Sequence, residues 1–327
     1  MPRATHLKYL ATLLTCSCIF GVTIYFSTWA AKVAGCPLLD EAGSYLAYCS
    51  DSRYGDYEHL AYALELVPAA VRSLKNAEVI ILGNSRTQVA FSTPQVDNFF
   101  RARSISYHVL GFGYGETGEF AAYLFRKYHL TPRVLIINAD PFFTEGLSTP
   151  AQQAIAAGPQ VWVDGLMKTA FEHVHGFVCR VSSRACLHTA GSIYRSFETG
   201  QWLWHGHNTY NTSLSIVGEE ISSRKATPLD DTALKKFHDV ATRLLPSFNI
   251  RKRCIILTAV PTPRIDGDRI AGALGADFRL PVVLPNIQGM RSSDGNHLTP
   301  TSAENWSAAF LSDSALTIGQ CLVIGPH

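Results

Sequence analysis

The sequence predicts an α/β fold in which a parallel sheet is covered by helices on both faces. Five short apolar runs recur along the chain, and segments with apolar residues at helical spacing separate most of them. This alternation is typical of buried parallel strands. Of the 327 residues, 47% are hydrophobic and 17% are charged, and the formal net charge is +2. These values exclude a disordered chain and give no indication of nucleic-acid binding.

The elements follow from these patterns. The five predicted strands are Glu78–Leu82, Tyr107–Leu110, Arg133–Asn138, Cys254–Val260 and Pro281–Leu284. The predicted helices are Gln95–Arg103, Gly118–Tyr128 and Asp231–Leu245. Residues 145–228 interrupt the alternation, and a structureless loop of that length is uncommon in a compact domain. We therefore expect an inserted subdomain or lid at about 145–228.

The amino-terminal segment predicts a transmembrane anchor. Residues 9–31 carry no charge, and a helix of that length is about 34 Å long, enough to cross a hydrocarbon core of roughly 30 Å. The basic residues before it place residues 1–8 in the cytoplasm by the positive-inside rule. We expect a single-pass protein of a bacterial inner membrane, with a juxtamembrane segment at 32–75. The domain at 76–327 is then periplasmic or extracellular.

Two alternatives to an uncleaved anchor remain open. A cleaved signal peptide has an apolar core of about 7–15 residues, shorter than the run in this chain. The segment Val33–Cys36 has the form of a lipoprotein cleavage box, although Lys32 directly before it is atypical.

The cysteines fit an exported domain. Six of the eight lie outside the predicted span, and an even number in an oxidising compartment suggests disulfides. Because six thiols allow fifteen pairings, nearest-neighbour pairing is a guess, and each residue has the alternative of being a buried thiol. The guessed pairs are Cys36–Cys49, Cys179–Cys186 and Cys254–Cys321. None shows the C-x-x-C spacing of a zinc site, so no metal site is predicted.

A serine follows the first predicted strand at a sharp turn. The run EVIIL leads into Gly83, Asn84 and Ser85, and glycine permits a turn that presents the serine at the carboxyl end of its strand. On its own, such a serine is most often a turn residue or a helix cap. To act as a nucleophile it needs a base and a group that orients the base.

The far end of the chain supplies both groups. Asp294 and His297 follow the fifth predicted strand and precede a helix that starts with Thr299 and Pro300. A carboxylate three residues before an imidazole, within one turn, is able to bind the ring and select its tautomer. Because this loop and Ser85 both follow parallel strands, we expect them at the same edge of the sheet.

In this order the motifs resemble those of the SGNH (GDSL-like) hydrolase superfamily, whose members carry a G-x-S block after the first strand and a D-x-x-H block near the carboxyl end. The resemblance covers roughly residues 76–315. It implies a flavodoxin-like three-layer fold with a five-stranded parallel sheet. It also implies that Ser85 is the nucleophile, His297 the base and Asp294 its orienting acid.

The resemblance also suggests an oxyanion hole. Beside the backbone N–H of Ser85, the second block of the family contributes a glycine, and the segment LGFGYG offers Gly111 or Gly113. The third block usually reads G-x-N-D, and this chain departs from it with Asn138 and Asp140 at the corresponding positions.

The GNSR form of the serine block, after an amino-terminal anchor, is similar to bacterial proteins that modify cell-surface polymers, such as alginate and peptidoglycan O-acetyltransferases and the protein that D-alanylates teichoic acid. The resemblance implies a membrane-anchored, extracytoplasmic serine esterase or O-acyltransferase that acts on an acylated cell-surface glycan, with acetyl as the acyl group. No cofactor is implied. A multi-span membrane acyltransferase that delivers the acyl group is the partner it suggests.

Several residues in these motifs allow other interpretations. Arg86 either binds an anionic substrate group or braces the turn, and Trp202 and Trp204 either stack on sugar rings or form the core of the insertion. The glycines after the second strand also match the dinucleotide fingerprint G-x-G-x-x-G, with Asp140 beyond them. Because the third block is altered, a non-catalytic module that binds a glycan or an assembly partner is the alternative function.

Overall fold

The computed structural model describes residues 11–23, 43–48, 57–156, 158, 161–163, 165–166, 169–170, 193–204, 218–221 and 229–323. Its strands are β1 (Ser44–Tyr48), β2 (Val79–Asn84), β3 (Tyr107–Phe112), β4 (Val134–Asn138), β5 (Ile193–Ser196), β6 (Trp202–Trp204), β7 (Glu219–Glu220), β8 (Ile255–Thr258) and β9 (Arg291–Ser292).

The helices are α1 (residues 11–23), α2 (Glu58–Ala63), α3 (Pro68–Asn76), α4 (Ser85–Phe91), α5 (Pro94–Arg101), α6 (Gly118–Tyr128), α7 (Ala139–Phe142), α8 (Thr149–Ile155), α9 (Asp231–Leu244), α10 (Gly267–Phe278) and α11 (Pro300–Val323). Two 3₁₀ turns, Leu245–Phe248 and Lys252–Cys254, lie between α9 and β8.

The centre of the fold is a four-stranded parallel sheet with the strand order β3-β2-β4-β8. In the register of the strands, Asn84 lies opposite Phe112, and Asn138 lies opposite Thr258. The carboxyl ends of all four strands therefore meet at one edge. The α/β class and the parallel sheet agree with the sequence prediction.

Helices cover both faces of this sheet. Ile80 and Leu82 of β2 belong to one apolar cluster, which includes residues of α2, α3, α6, α9 and α10. Val79 and Ile81 belong to a second cluster with residues of α4, α5 and α11. Because successive side chains of a strand point to opposite faces, β2 is buried along its whole length.

The predicted fifth strand does not extend the sheet in the described residues. Val282 forms one isolated parallel bridge with Leu257. The Leu257 N–H donates to the Pro281 carbonyl, and the Val283 N–H donates to the Leu257 carbonyl, both at 2.9 Å. Prolines at 281 and 285 have no N–H to donate, so the pairing does not continue. The sheet is therefore one strand short of the prediction.

A second, antiparallel sheet with the order β1-β5-β6 lies beside β3. The Val109 N–H of β3 donates to the Thr199 carbonyl at 2.8 Å, so the β5–β6 turn covers this edge. These pieces of the 145–228 insertion pack on the main body, and the function of the insertion as a lid stays a prediction. Helices α2 and α3, from the segment predicted to be juxtamembrane, supply core residues such as Tyr62 and Leu74.

The predicted membrane anchor is wrong. Among the described residues, no helix has both the length and the apolar character that a membrane crossing needs. The predicted location as a single-pass protein of an inner membrane is therefore not supported.

One of the three guessed disulfides is present. Cys254 and Cys321 are bonded, with their Cα atoms 5.7 Å apart, and the bond links the start of β8 to the end of α11. Cys36, Cys49, Cys179 and Cys186 lie outside the described residues.

Candidate active site

The serine turn is built by close packing between β2 and α4. The Asn84 side chain caps the helix, because its Oδ1 accepts the Arg86 N–H at 2.9 Å. A Cβ at position 83 would lie 1.9 Å from Oγ1 of Thr87, so only glycine fits there. Ser85 is half-buried, whereas the residues on either side of it are buried. The hydroxyl is thus held by a rigid turn and remains accessible.

The loop between β9 and α11 is closed by its own backbone. The Ser293 N–H donates to the His297 carbonyl at 2.8 Å, and the Thr299 N–H donates to the Arg291 carbonyl at 2.9 Å. Gly295 has φ +73°, in the left-handed region that glycine enters without a steric cost. The loop therefore presents Asp294 and His297 from a compact hairpin.

Ser85, His297 and Asp294 form a continuous chain of hydrogen bonds. His297 Nε2 lies 2.8 Å from Ser85 Oγ, across 212 residues of sequence. His297 Nδ1 lies 2.7 Å from Asp294 Oδ2. With the Nδ1 proton donated to Asp294, Nε2 is left to accept the serine proton, which is the arrangement that activates a serine nucleophile.

Asp294 is held as a carboxylate. Burial acts to raise the pKa of Asp294, but the hydrogen bond and charge of His297 outweigh it. The other carboxylate oxygen accepts the backbone N–H groups of Asn296 at 2.9 Å and His297 at 2.7 Å. The net effect lowers the pKa of Asp294 well below its ordinary range. The group therefore stays negative at neutral pH and fixes the ring orientation.

Arg86 does not reach into the site as a substrate ligand. Its side chain is buried, its Nη1 donates to Asn296 Oδ1 at 2.9 Å, and its Nη2 lies 3.3 Å from Asp140 Oδ2. Both contacts are internal, so the predicted substrate-binding role is replaced by a structural one. Asn296 could not be identified as the partner of Arg86 from the sequence, because an asparagine inside a loop has no diagnostic spacing.

The predicted oxyanion glycines have other roles. The Gly113 N–H donates to Glu58 Oε1 at 2.8 Å, so it is already occupied. Gly111 lies inside β3, where a Cβ would come within 2.8 Å of the Asn84 carbonyl and 2.9 Å of Gln88 Cγ. It is needed for α4 to pack on the sheet. Of the predicted backbone donors, the N–H of Ser85 stays a candidate, because the first residue of a helix has no intrahelical acceptor.

The third-block residues are also internal. Asn138 Oδ1 accepts the Val260 N–H at 3.0 Å, and its Nδ2 donates to the Asp140 carbonyl at 3.1 Å. This amide joins the ends of β4 and β8 through these two hydrogen bonds. The Asp140 side chain is fully buried and faces Arg86. Burial raises the pKa of Asp140, and the Arg86 charge opposes the rise.

A buried network missed by sequence reasoning holds the loop after β3. The Glu58 carboxylate is paired with Arg195 Nη1 at 3.0 Å and accepts the Trp202 Nε1–H at 2.9 Å. Trp202 is therefore a buried structural residue and not a sugar platform. Trp204 ends β6, opposite Ile193, and its side chain lies outside the described part. The partners are more than a hundred residues apart, so no local pattern could reveal them.

The glycine loop at 113–118 is not arranged for a dinucleotide. Glu116 is buried, and its Oε1 accepts the Thr117 N–H at 2.9 Å at the start of α6. Its Oε2 lies 2.8 Å from His59 Nε2. A carboxylate thus occupies the position where a pyrophosphate would bind the helix terminus.

A polar cavity of about 480 Å³ opens beside the acid end of the triad. It is lined by Glu219, Pro263, Arg264, Ser292, Ser293, Asp294 and Gly295. Within the described ranges, no group of three or more His, Cys, Asp or Glu side chains is arranged to hold a metal ion.

No protein-family model matches the chain, and neither a curated protein nor a solved structure matches it significantly.

Proposed function

We propose that this protein is a serine esterase or O-acyltransferase of the SGNH type that acts on an acylated cell-surface glycan. The observation that carries the proposal is the hydrogen-bond chain from Ser85 through His297 to Asp294, with links of 2.8 and 2.7 Å. The order of the parallel strands supports it as well: counted along the chain it is 2-1-3-4, the start of the flavodoxin-like order. In such sheets, ligands bind at the carboxyl ends of the strands, where these residues lie.

The proposed reaction proceeds through an acyl-enzyme. As the Ser85 oxygen attacks the ester carbonyl, His297 Nε2 accepts its proton, and Asp294 stabilises the imidazolium that forms. The backbone N–H of Ser85 binds the developing oxyanion. His297 then returns the proton to the leaving alcohol. Water releases the acyl group in an esterase, whereas a sugar hydroxyl accepts it in a transferase.

The cavity beside Asp294 supports a hydroxyl-rich substrate. Its lining includes Glu219, which has a carboxylate, and Arg264, which has a guanidinium, beside two serines whose hydroxyls donate to the His297 carbonyl. Carboxylate and guanidinium groups bind the hydroxyls of a sugar as acceptors and donors. An acetylated polysaccharide satisfies both requirements, an ester at the serine and hydroxyls in the cavity.

The test is acetate release from acetylated glycans by the full-length protein. Replacing Ser85 by Ala abolishes release and leaves the midpoint of thermal unfolding unchanged within about 2 °C. Ser312→Ala, at an exposed position of α11, is the matched control and retains full activity. Release by the Ser85 variant at the wild-type rate would assign the nucleophile elsewhere.

A non-catalytic glycan-binding module is the second candidate, and a specific observation favours it. The N–H of Gly113 donates to Glu58, and one N–H of the Asn138 amide donates to the Asp140 carbonyl, so one expected oxyanion donor is occupied and a second is partly engaged. A binding module retains acetylated glycan in an equilibrium assay without releasing acetate, and its affinity is the same in the Ser85→Ala variant. An esterase releases acetate from the glycan under the conditions of the same binding assay.

A further inference from the structure

We propose that Arg86, Asp140 and Asn296 form a brace that positions the His297 ring on the Ser85 hydroxyl. Arg86 and Asn296 act through other residues and are positioning residues. The kinetic consequence rests on the proposed function, whereas the structural consequence does not.

The brace joins three separate parts of the sheet edge. Arg86 follows the nucleophile in α4, Asp140 follows β4, and Asn296 lies in the loop between Asp294 and His297. Nη1 of Arg86 donates to Asn296 Oδ1 at 2.9 Å, and Nη2 lies 3.3 Å from Asp140 Oδ2. One guanidinium thus connects the residue beside the nucleophile to the loop that carries the base.

Burial makes this connection stiff. Arg86 is 6% exposed and Asp140 is 0% exposed. A buried guanidinium needs a nearby negative charge, and Asp140 provides it. Asp140 therefore holds the Arg86 plane in place, and the planar group has one nitrogen directed at Asn296. A second hydrogen bond connects the serine turn to Asp140, because the Asn84 Nδ2 donates to the Asp140 carbonyl at 3.4 Å.

The brace matters because it links the Asp294–His297 loop directly to α4, which begins with Ser85. The strand before this loop, β9, is held by β7 and by Ser302 at the start of α11. The 2.8 Å bond between His297 and Ser85 is the contact that catalysis depends on. A misplacement of about 1 Å at a reacting group costs about a hundredfold in rate. Fixing Asn296, which directly precedes His297, limits such movement.

The kinetic experiment compares Asn296→Ala with Asn286→Ala, an exposed asparagine of a neighbouring loop. Asn296→Ala lowers kcat about 10- to 100-fold with KM within twofold, and Asn286→Ala changes neither. Asn296→Asp keeps an oxygen for Arg86 and restores most of kcat. Equal kcat in the Asn296→Ala variant and the wild type would overturn the brace.

A second readout does not require activity. The downfield proton NMR signal of His297 Nδ1–H, shared with Asp294, is measured in the full chain. Asn296→Ala broadens or removes this signal, whereas Asn286→Ala preserves it. If the wild type releases no acetate, the proposed function is wrong, but the NMR comparison still tests whether the brace positions His297. An unchanged signal in Asn296→Ala would reject the brace.

Discussion

The hydroxyl of Ser85 is an ordinary alcohol unless a neighbouring base accepts its proton. His297 does so only if its Nδ1 carries the proton, and Asp294 selects that tautomer through the 2.7 Å contact with Nδ1. At the scale of single residues, activation of the serine therefore requires Asp294 as much as His297.

Asp294→Asn tests that dependence. The amide keeps the shape of the side chain but can donate to Nδ1, which favours the wrong tautomer of His297. We expect kcat to fall about 10³- to 10⁴-fold with little change in KM, measured by acetate release. Asp313→Asn, at an exposed position of α11, is the control and keeps the wild-type kcat. A loss of less than tenfold would show that Asp294 does not orient the base.

Gly83→Ala tests the serine turn. The added methyl group would lie 1.9 Å from Oγ1 of the buried Thr87, and relieving that overlap displaces α4. We expect the free energy of unfolding to fall by about 1–3 kcal/mol. The control is Gly272→Ala within α10, where no atom lies within 4 Å of the added carbon. Helix propensity predicts a gain of about 0.5–1 kcal/mol there. The free energies of unfolding of both variants and the wild type are measured by urea unfolding. A Gly83→Ala variant as stable as the wild type would refute the close packing.

At the scale of elements, the disulfide ties the start of β8 to the end of α11. Cys254 and Cys321 are separated by 67 residues, so the bond restricts a large loop of the unfolded chain. Replacing both by Ser lowers the free energy of unfolding by about 2–4 kcal/mol. The matched control replaces Cys16 and Cys18, which are free and exposed. A double Ser variant as stable as the wild type would mean that the bond contributes nothing.

The elements differ in how well the sequence predicts them. The first four parallel strands are recognisable because each is an apolar run buried on both faces. The predicted fifth strand does not extend the sheet because the prolines at 281 and 285 limit the pairing of Val282. The anchor was predicted from a charge-free run, and that pattern alone does not establish a membrane-spanning helix. Ser85, Asp294 and His297 were found from motif order, whereas Arg86, Gly113 and Trp202 have partners set by tertiary packing, which no local pattern reveals.

At the scale of the whole molecule, stability depends on a buried imidazole in β3. Burial, assisted by the Arg195 charge, lowers the pKa of His108 to about 3, whereas an unfolded histidine has a pKa of about 6.5. Between these values the unfolded chain binds a proton that the native protein does not. The free energy of unfolding therefore falls as the pH decreases from about 6.5 to about 3.

His108→Gln tests this dependence. Glutamine is able to keep a hydrogen bond to the Tyr62 hydroxyl, which lies 2.7 Å from His108 Nε2, but it does not titrate. We expect the slope of unfolding free energy against pH to decrease by up to about 1.4 kcal/mol per pH unit between pH 4 and 6. Equal slopes in the two proteins, measured by urea unfolding, would assign the acid sensitivity to other groups.

The most direct test of the catalytic chain is labelling of the folded full-length protein with a fluorophosphonate at neutral pH, followed by mass-spectrometric mapping of the adduct. We predict one adduct, on Ser85, which forms more slowly in the Asp294→Asn variant and does not form after unfolding. A folded protein that carries no adduct, or carries one on another residue while Ser85 stays unmodified, would contradict it.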